Sequence, residues 1–447
     1  MSTLTIAIVV VFVIGYACIA LESVTKVNKA AVALLMFVAC WALYMVDPAS
    51  YLPGTAAAEI LSKVNSIIEA HLGSTSTTLF FLMGAMTIVE IVDQNGGFNF
   101  VRKALHTESK RALLWKISFM AFFLSAILDN MTTTIVMIMV LRKLVADHND
   151  RLIYASLVVI AANAGGAFSP IGDVTTIMLW NKSLITSAGV IKEIFIPSVI
   201  AMVVPAIVLQ FSLHGKLAAA GGPAVNSESN AFTDRERKVI FFLGVGGLIF
   251  VPIFRYLTNL PPFVGILLVL ALLWVTTELF YRHLRGKEEK GSMNKRVSNV
   301  LSKIDMSTIL FFLGILMAVS CLEEVGVLGA VGKWLNQVSS GNHYIVTGTI
   351  GVISSIVDNV PLVAGCMGMY PLAATGDFAV DGIFWQLLAY CAGVGGSMLI
   401  IGSAAGVVAM GLEKISFGWY MKHISWIAFL GYIAGIFSYF LLRTFIF

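Results

Sequence analysis

Long apolar runs alternate with short polar segments along the whole chain. Five runs approach or reach the roughly 20 residues that an α-helix needs to cross a hydrocarbon core. They lie at 4–20, 30–45, 195–211, 263–279 and 424–442. Each is predicted to be a membrane-spanning helix. The first run is predicted to be a helix rather than a signal peptide, because it lacks a basic leading region and Glu22 and Lys26 follow where small residues would mark cleavage.

Three short landmarks recur in the chain about 230 residues apart. They are Phe-Phe-Leu at 80–82 and 311–313, Asp-Asn at 129–130 and 358–359, and Gly-Gly at 165–166 and 395–396. The Asp-Asn and Gly-Gly pairs also interrupt apolar segments. Internal repeats with interruptions at matching positions are typical of transporters that bind their substrate near the membrane midplane. The chain is therefore predicted to be a tandem of two related halves with a polar core at the interruptions.

Loop charge predicts how each half is oriented, because loops rich in Lys and Arg face the cytoplasm. The loops around the first Asp-Asn segment are basic and contain Arg102, Lys103, Lys110, Arg111, Lys116, Arg142, Lys143 and Arg151. The loops around the second segment hold Lys333 on one side and Asp377 and Asp381 on the other. Each segment is therefore predicted to be a helical hairpin, the first inserted from the cytoplasm and the second from outside, so that the halves are inverted.

These patterns predict an all-α polytopic membrane protein with two inverted repeats, about ten transmembrane helices, two re-entrant helical hairpins, two broken helices and both termini outside. The first repeat covers 1–213, with a hairpin at about 112–146 and a broken helix at about 152–182. A cytoplasmic linker covers 214–237. The second repeat covers 238–447, with a hairpin at about 345–372 and a broken helix at about 384–412. The segment 55–72 fits either an amphipathic helix at the interface or an external loop.

Composition indicates a lipid environment, since 58% of the 447 residues are hydrophobic and 12% are charged. Such a chain cannot bury its apolar surface in a soluble globule. The net charge of +4 resides in loops, which indicates the positive-inside rule rather than nucleic-acid binding. The five cysteines lie in apolar segments without a CxxC pair, so disulfides, zinc and other resident cofactors have no support. Neither HExxH nor GxGD occurs, and the histidines lie in loops or at segment ends, which disfavours an intramembrane enzyme.

Ionisable residues inside the membrane segments are few, and such residues usually face a bundle interior or an aqueous cavity. Asp129, Asp173 and Asp358 fall in the interrupted segments. A hard cation such as Na⁺ prefers several oxygen ligands, which nearby carboxylate, amide and hydroxyl groups can supply. The candidate cation and proton ligands are Asp129, Asn130, Thr132, Thr133, Asn163, Ser169, Asp173, Thr175, Thr176, Asp358, Asn359, Ser397 and Ser403.

The two halves differ in charge at their interruptions. The stretch 163–176 combines three glycines, a proline and Asp173, so we expect a broken helix whose free carbonyls can bind ions. The matching stretch has Ser403 where the first has Asp173. The cation is therefore predicted to bind nearer the first hairpin, with Na⁺ at Asp129, Asn130 and Asp173. An alternative role for Asp129 is to cap the second hairpin helix.

Three motifs resemble the NhaD-type sodium/proton antiporters of the ion transporter superfamily. They are Leu-Asp-Asn-Met-Thr-Thr-Thr at 128–134, Ser-Pro-Ile-Gly-Asp-Val-Thr-Thr at 169–176 and Ser-Ile-Val-Asp-Asn-Val-Pro at 355–361. The resemblance covers essentially the whole membrane domain. It implies exchange of Na⁺ or Li⁺ for H⁺, an elevator movement of the hairpins and broken helices against a scaffold, and a homodimer. A bacterial inner membrane is the expected location.

Other transport functions remain as alternatives. Carboxylates at both hairpin tips, Asp129 and Asp358, repel an anion and disfavour a dicarboxylate carrier. An arsenite or antimonite exporter of the same superfamily is the main alternative, because its substrate is neutral and its motifs are similar. An ion channel could use the same polar breaks, although opposed hairpins suit alternating access better. In the favoured mechanism the carboxylates bind either a cation or protons, and this competition couples the two fluxes.

Overall fold

The computed structural model describes residues 2–20, 27–96, 105, 107–217, 233–284, 300–302, 304–356 and 359–446. Within these ranges the chain is helical, apart from its connecting turns and loops, a short 3-10 helix at Pro48–Ser50 and one isolated bridge between Ser109 and Lys216. Asp358 and most of the predicted linker lie outside the described residues.

The helices before the linker are α1 (Thr3–Ala20), α2 (Lys29–Tyr44), α3 (Ile60–Gln94), α4 (Lys110–Ser125), α5 (Asn130–Leu144), α6 (His148–Ala167), α7 (Val174–Asn181) and α8 (Ser187–Leu209). Those after it are α9 (Asp234–Thr258), α10 (Pro262–Leu284), α11 (Met306–Glu324), α12 (Val327–Val338), α13 (His343–Ser354), α14 (Asn359–Met369), α15 (Ile383–Gly395), α16 (Ala404–Glu413), α17 (Phe417–His423) and α18 (Ser425–Phe445). Side-chain caps fix many of the starts, for example Ser109 before α4 and Thr186 before α8.

Six described helices are long and apolar enough to cross a membrane: α3, α8, α9, α10, α11 and α18. The other apolar helices, which include α2, α5 and α13 to α16, are shorter. Large apolar side chains such as Phe242, Leu272 and Phe437 are exposed on the long helices. Such surfaces are unfavourable in water and suit contact with lipid. The protein is therefore an all-α polytopic membrane protein.

For segment 55–72 the alternative of an external loop is wrong from Ile60 onward, where the chain is helical, while the interfacial position of this helix stays a prediction. Its residues from Ile60 onward are the first turns of α3, which continues without a break to Gln94. His71 Nε2 lies 2.8 Å from Glu324 Oε1, so this part packs against the end of α11. The charged residues did not end the helix, because the segment contains no proline and an internal glycine costs only about 1 kcal/mol.

The helices pack into two bodies. In the first body, α1, α2, α3, α9, α10 and α11 form a continuous chain of contacts. Gly314 of α11 lies directly against the backbone of Ala33 in α2. The Trp41 indole N–H donates to the Met317 carbonyl oxygen at 2.8 Å across the same crossing. A glycine at such a crossing lets two helices approach closely, which favours packing in lipid.

The second body contains α4 to α8 and α13 to α18, and its two halves repeat the same contacts. The Ser125 hydroxyl at the end of α4 donates to the Ala162 carbonyl oxygen at 2.6 Å. The Ser354 hydroxyl at the end of α13 donates to the Ala392 carbonyl oxygen at 3.0 Å. The two hydrogen bonds thus join corresponding positions of the two predicted repeats, while the inverted orientation of the repeats stays a prediction. The two bodies meet where α7 contacts α3 and where α14 contacts α11.

Two helices of the second body are broken. α6 ends at Ala167 and α7 begins at Val174, while α15 ends at Gly395 and α16 begins at Ala404. Pro170 explains part of the first break, since proline has no backbone N–H to continue a helix. Both breaks are buried inside the second body, so their free backbone groups and side chains face the interior of the protein.

Candidate cation-binding site

Asp173 lies at the end of the first break and caps α7. Its carboxylate accepts hydrogen bonds from the Thr175 backbone N–H at 3.0 Å and from the Thr175 hydroxyl at 3.1 Å. The residue is 1% exposed. A Cβ added to Gly166 would lie 2.6 Å from the Gly172 carbonyl oxygen and 3.1 Å from Asp173 Cβ. The glycines thus let the break fold tightly enough to place this carboxylate inside the protein.

Amides from both hairpins converge on the Asp173 carboxylate. Asn130 Nδ2 donates to Asp173 Oδ2 at 3.1 Å, and Asn359 Nδ2 donates to the same oxygen at 3.5 Å. Asn130 is the first residue of α5, and Asn359 is the first residue of α14. Corresponding positions of the two repeats therefore contact one carboxylate.

Asn163 extends this cluster to the second break. Its Oδ1 accepts from Asn130 Nδ2 at 2.9 Å. Its Nδ2 donates to Ser397 Oγ at 3.0 Å and to Ser403 Oγ at 2.9 Å. Asn163 is fully buried, and both serines are 1% exposed. Because Asn163 uses its acceptor toward one half and its donors toward the other, it fixes the two breaks relative to each other.

Helix ends determine the electrostatics of the cluster. The N-termini of α5, α7, α14 and α16 contribute Asn130, Asp173, Asn359 and Ser403 to it. The partial positive charge of a helix N-terminus stabilises a carboxylate. The broken helices α6 and α15 end close by, and a Cβ on Gly393 of α15 would lie 3.6 Å from Asp173 Oδ2. Free carbonyl groups at such C-terminal ends can coordinate a cation.

The structure places other predicted ligands outside this cluster. The Asp129 carboxylate accepts from the Thr132 backbone N–H at 2.8 Å and from the Thr132 hydroxyl at 2.7 Å, so it caps α5. The Ser169 hydroxyl donates to the Ala126 carbonyl oxygen and ties the break to the hairpin turn.

The hydroxyl groups of Thr176 and Thr133, which lie near the break and the hairpin turn, differ in their hydrogen bonding. Thr176 Oγ1 donates to the Ala167 carbonyl oxygen at 3.4 Å, which closes the break locally. Thr133 is fully buried, and its Oγ1 has no hydrogen-bond partner among the described residues. Thr133 therefore has a free hydroxyl close to the start of α5.

Two buried carboxylates were missed by the sequence analysis, Glu193, which pairs with Arg443 at 2.7 Å, and Glu413. Glu413, the last residue of α16, is 2% exposed. Its Oε1 lies 2.7 Å from Arg142 Nε and its Oε2 lies 3.1 Å from Arg151 Nε, while His148 Nδ1 is 3.8 Å away. The two arginines had been considered only as loop charge. A single Glu at the end of an apolar segment was the available signal, but its partners are far away in sequence.

Known proteins match almost the whole chain. A family model described as citrate transporter matches residues 9–387. Sodium/proton antiporter 1 of Arabidopsis thaliana is 44% identical over 97% of this chain and 72% of its own length. Sodium/proton antiporter 2 of the same plant is 40% identical over 97% of this chain and 99% of its own length. The Na⁺/H⁺ antiporter NhaD of Vibrio cholerae is 30% identical over 99% of this chain and 92% of its own length.

The extent of these matches agrees with the motifs that define the cluster. Asn130 and Asn359 of these motifs contact Asp173, and the glycines Gly166 and Gly396 lie beside the capping residues Asp173 and Ser403. The chain therefore belongs to the NhaD-type sodium/proton antiporters, within the wider family that the citrate-transporter model describes.

Proposed function

We propose that this protein exchanges Na⁺ or Li⁺ for H⁺ across a membrane, with Asp173 as the central ligand. The observation that carries the proposal is a buried carboxylate surrounded by the amides of Asn130 and Asn359. The names of three relatives that match nearly the whole chain support the choice of ions.

The cluster can change from a proton site to a cation site through small rotations. Both amides now donate N–H groups to Asp173. Half a turn of the Asn130 amide would present its oxygen instead, because a planar amide carries a donor on one side and an acceptor on the other. Carboxylate, amide and hydroxyl oxygens would then form a coordination shell of the kind that hard cations prefer.

Competition at Asp173 would couple the two fluxes. A bound cation stabilises the ionised carboxylate, whereas a proton removes the charge that attracts the cation. The site therefore holds one or the other. Asp129 is placed near this site as a helix cap, and we assign it a supporting role at the tip of the first hairpin.

Transport also requires that the cluster reach both sides of the membrane. The cluster lies within the second body, which contacts the first body through α7 and α14. This arrangement supports an elevator movement of the second body against the first, with the two repeats inverted in the membrane. The exposed apolar side chains of α9 and α10 would contact lipid or a second copy in a homodimer. The bacterial inner membrane stays a prediction, since the matching relatives come from a plant as well as from bacteria.

Purified protein in liposomes with a trapped pH dye tests this function. Addition of NaCl or LiCl to acid-loaded liposomes is expected to alkalinise the lumen, while choline chloride leaves it unchanged. Under one-for-one competition, the apparent KM for Na⁺ should rise as the pH falls, by up to about tenfold per pH unit. A KM that is independent of pH would contradict competition at one carboxylate. Transport of arsenite or citrate without a response to Na⁺ would replace the proposal with one of the alternatives.

A further inference from the structure

A cavity of about 420 Å³ separates the two bodies beside the central cluster. One wall is formed by α3 and α11 of the first body, and the other by α7 and α14 of the second body. Its lining includes Pro261, Pro371 and Leu372, which are exposed and lie in loops between helices. The segment that follows Pro371 carries Asp377 and Asp381 and is predicted to be external. The cavity therefore opens toward that side.

The inner part of the cavity approaches the cluster along two helices. Met178 of α7 and Ala364 of α14 both line it. Each stands about 7–8 Å along the helix axis from the cluster residue at the start of its helix, Asp173 or Asn359. The two repeats thus bring the cavity to a similar distance from the same carboxylate.

The wall contributed by the first body is rich in hydroxyl groups. Ser74, Thr75, Thr77 and Thr78 of α3 and Ser320 of α11 line it. The Thr77 hydroxyl donates to the Ser74 carbonyl oxygen at 2.7 Å, and the Ser320 hydroxyl donates to the Met317 carbonyl oxygen at 2.8 Å. A hydroxyl that uses its hydrogen in this way has lone pairs left to accept. Such a wall can solvate a cation or its water shell.

The cavity is lined by two charged side chains, Glu323 and Lys182, and by His71. Glu323 lines it and is exposed there. The neighbouring Glu324 is hydrogen-bonded to His71 at 2.8 Å, so Glu323 is the carboxylate that this histidine does not contact. Lys182 lines the cavity from the side of α7 and carries the opposite charge.

We infer that this cavity is the route by which the transported cation reaches Asp173 from the predicted external side, and that Glu323 attracts the cation into it. The inference rests on the proposed Na⁺/H⁺ exchange. Glu323 acts at a distance from the cluster, so it raises the local cation concentration and leaves the binding step itself unchanged. Lys182 opposes this attraction.

Flux from each side tests the role of Glu323. Vesicles of both orientations are used, and Na⁺ is presented from the side on which the cavity opens. Glu323→Gln is expected to raise the apparent KM for Na⁺ about threefold to tenfold at low ionic strength, with little change in the maximal rate. Lys182→Gln should lower the KM. Added choline chloride should reduce both effects, because salt screens exposed charges.

Two controls accompany these variants. Glu69→Gln removes an exposed carboxylate on α3 that does not line the cavity, and its KM should equal that of the wild type. The KM for Na⁺ presented from the opposite side should be unaffected by Glu323→Gln. An unchanged KM from the cavity side, or an equal rise from both sides, would overturn the inference.

Chemical labelling separates this inference from the proposed exchange. Ser74→Cys places a thiol on the cavity wall in a Cys18→Ala background, where the remaining cysteines are buried. A cationic methanethiosulfonate reagent is expected to react faster than an anionic one, and Glu323→Gln should remove the difference. If this charge-dependent labelling is observed but no Na⁺ flux is measured, the proposed exchange is refuted, whereas the inference about the cavity and its charge still holds. If the reagents label the thiol from neither side of the membrane, the cavity is not an aqueous route.

Discussion

The breaks of α6/α7 and α15/α16 have the same backbone design but different chemistry. Gly165 lies against the Phe122 carbonyl of α4, and Gly395 lies against the Gly351 carbonyl of α13. Each break ends in a capping residue, which is Asp173 in the first half and Ser403 in the second. The matched packing shows that the fold constrains both glycine positions, whereas the capping positions are free to differ in charge.

The cluster depends on this difference. Asn163 hydrogen-bonds to Ser403, and Asp173 accepts from Asn130 and Asn359. The second half therefore supplies neutral donors and acceptors around a charge that the first half provides. An ionised partner favours a cation that leaves water, because desolvation of an unpaired charge is strongly unfavourable. The asymmetry of the two breaks therefore supports our proposal of one cation site near the first break.

The largest expected effect distinguishes the two caps directly. Asp173→Asn should keep the cap on α7, since Asn also caps helices well, but removes the charge. The proposed bound cation would lose its charged partner, and a buried charge left without its partner costs about 3–5 kcal/mol, which corresponds to more than a 100-fold fall in Na⁺/H⁺ exchange. The assay is dye-monitored exchange in liposomes, with the protein yield checked by size-exclusion chromatography.

Ser403→Ala is the matched variant in the second break. It removes hydrogen bonds to Asn163 and to the Gly406 N–H, each worth about 1 kcal/mol. Exchange should fall by about fivefold to tenfold per bond and remain measurable. Equal losses in the two variants would show that charge does not distinguish the breaks.

The second prediction concerns the C-terminal ends of α7 and α16, the short helices that follow the two breaks. At the end of α7, Arg255 of the first body donates to the Trp180 carbonyl oxygen at 2.7 Å. At the end of α16, Glu413 binds Arg142 and Arg151 within the second body. Glu413→Gln should lower the free energy of unfolding by about 1–3 kcal/mol, because two partly exposed arginines lose charge-assisted hydrogen bonds to this buried carboxylate.

Thermal unfolding in detergent, followed by intrinsic tryptophan fluorescence, measures this loss. Arg142→Ala is the control, because Arg151 still pairs with Glu413 and the expected shift in Tm is smaller. Arg255→Gln should produce the smallest shift in Tm. The hydrogen bonds of Arg255 join the first body to the second body, which we propose to move against the first during transport. A Tm for Glu413→Gln within 1 °C of the wild type would argue against a buried ion cluster of this strength.

The smallest expected effect concerns the two carboxylates of the first half. Asp129 has a φ of 102°, a conformation that favours glycine, and its carboxylate caps α5 through Thr132. Asp129→Asn retains a capping group, so exchange should fall by no more than about tenfold and α5 should stay folded. A loss as large as that of Asp173→Asn, measured in the same liposome assay, would restore Asp129 as a direct cation ligand.

The architecture was largely predictable from the sequence. The apolar runs are longer than helices of soluble proteins require, which indicated a lipid environment. The short motifs that recur at nearly constant spacing indicated two related halves. Gly172 and Pro170 marked the first break, since neither residue favours a helix interior. The helix in segment 55–72 was predicted as one of two alternatives, but its length was not, because nothing in the segment stops α3 from continuing to Gln94.

The composition of the cluster was predicted only in part. Asp129 and Asp173 look alike in sequence, as both precede a helix and are followed by threonines. Their different surroundings depend on which side chains from remote segments come close. Glu413 gave only a weak local signal, a single Glu at the end of an apolar segment, because its partners Arg142 and Arg151 lie 271 and 262 residues away in the chain.

The sequence by itself determined that the protein lies in lipid, that its motifs recur about 230 residues apart, and which residue types are available to a cation. These properties follow from composition and local conformational preference, which act over a few turns of helix. Only the tertiary structure decided that Asp173 meets Asn130 and Asn359 while Asp129 turns to Thr132. The physical reason is that burial and partner distance depend on packing between segments far apart in the chain, so that both aspartates cap a helix but only Asp173 also contacts amides from both halves.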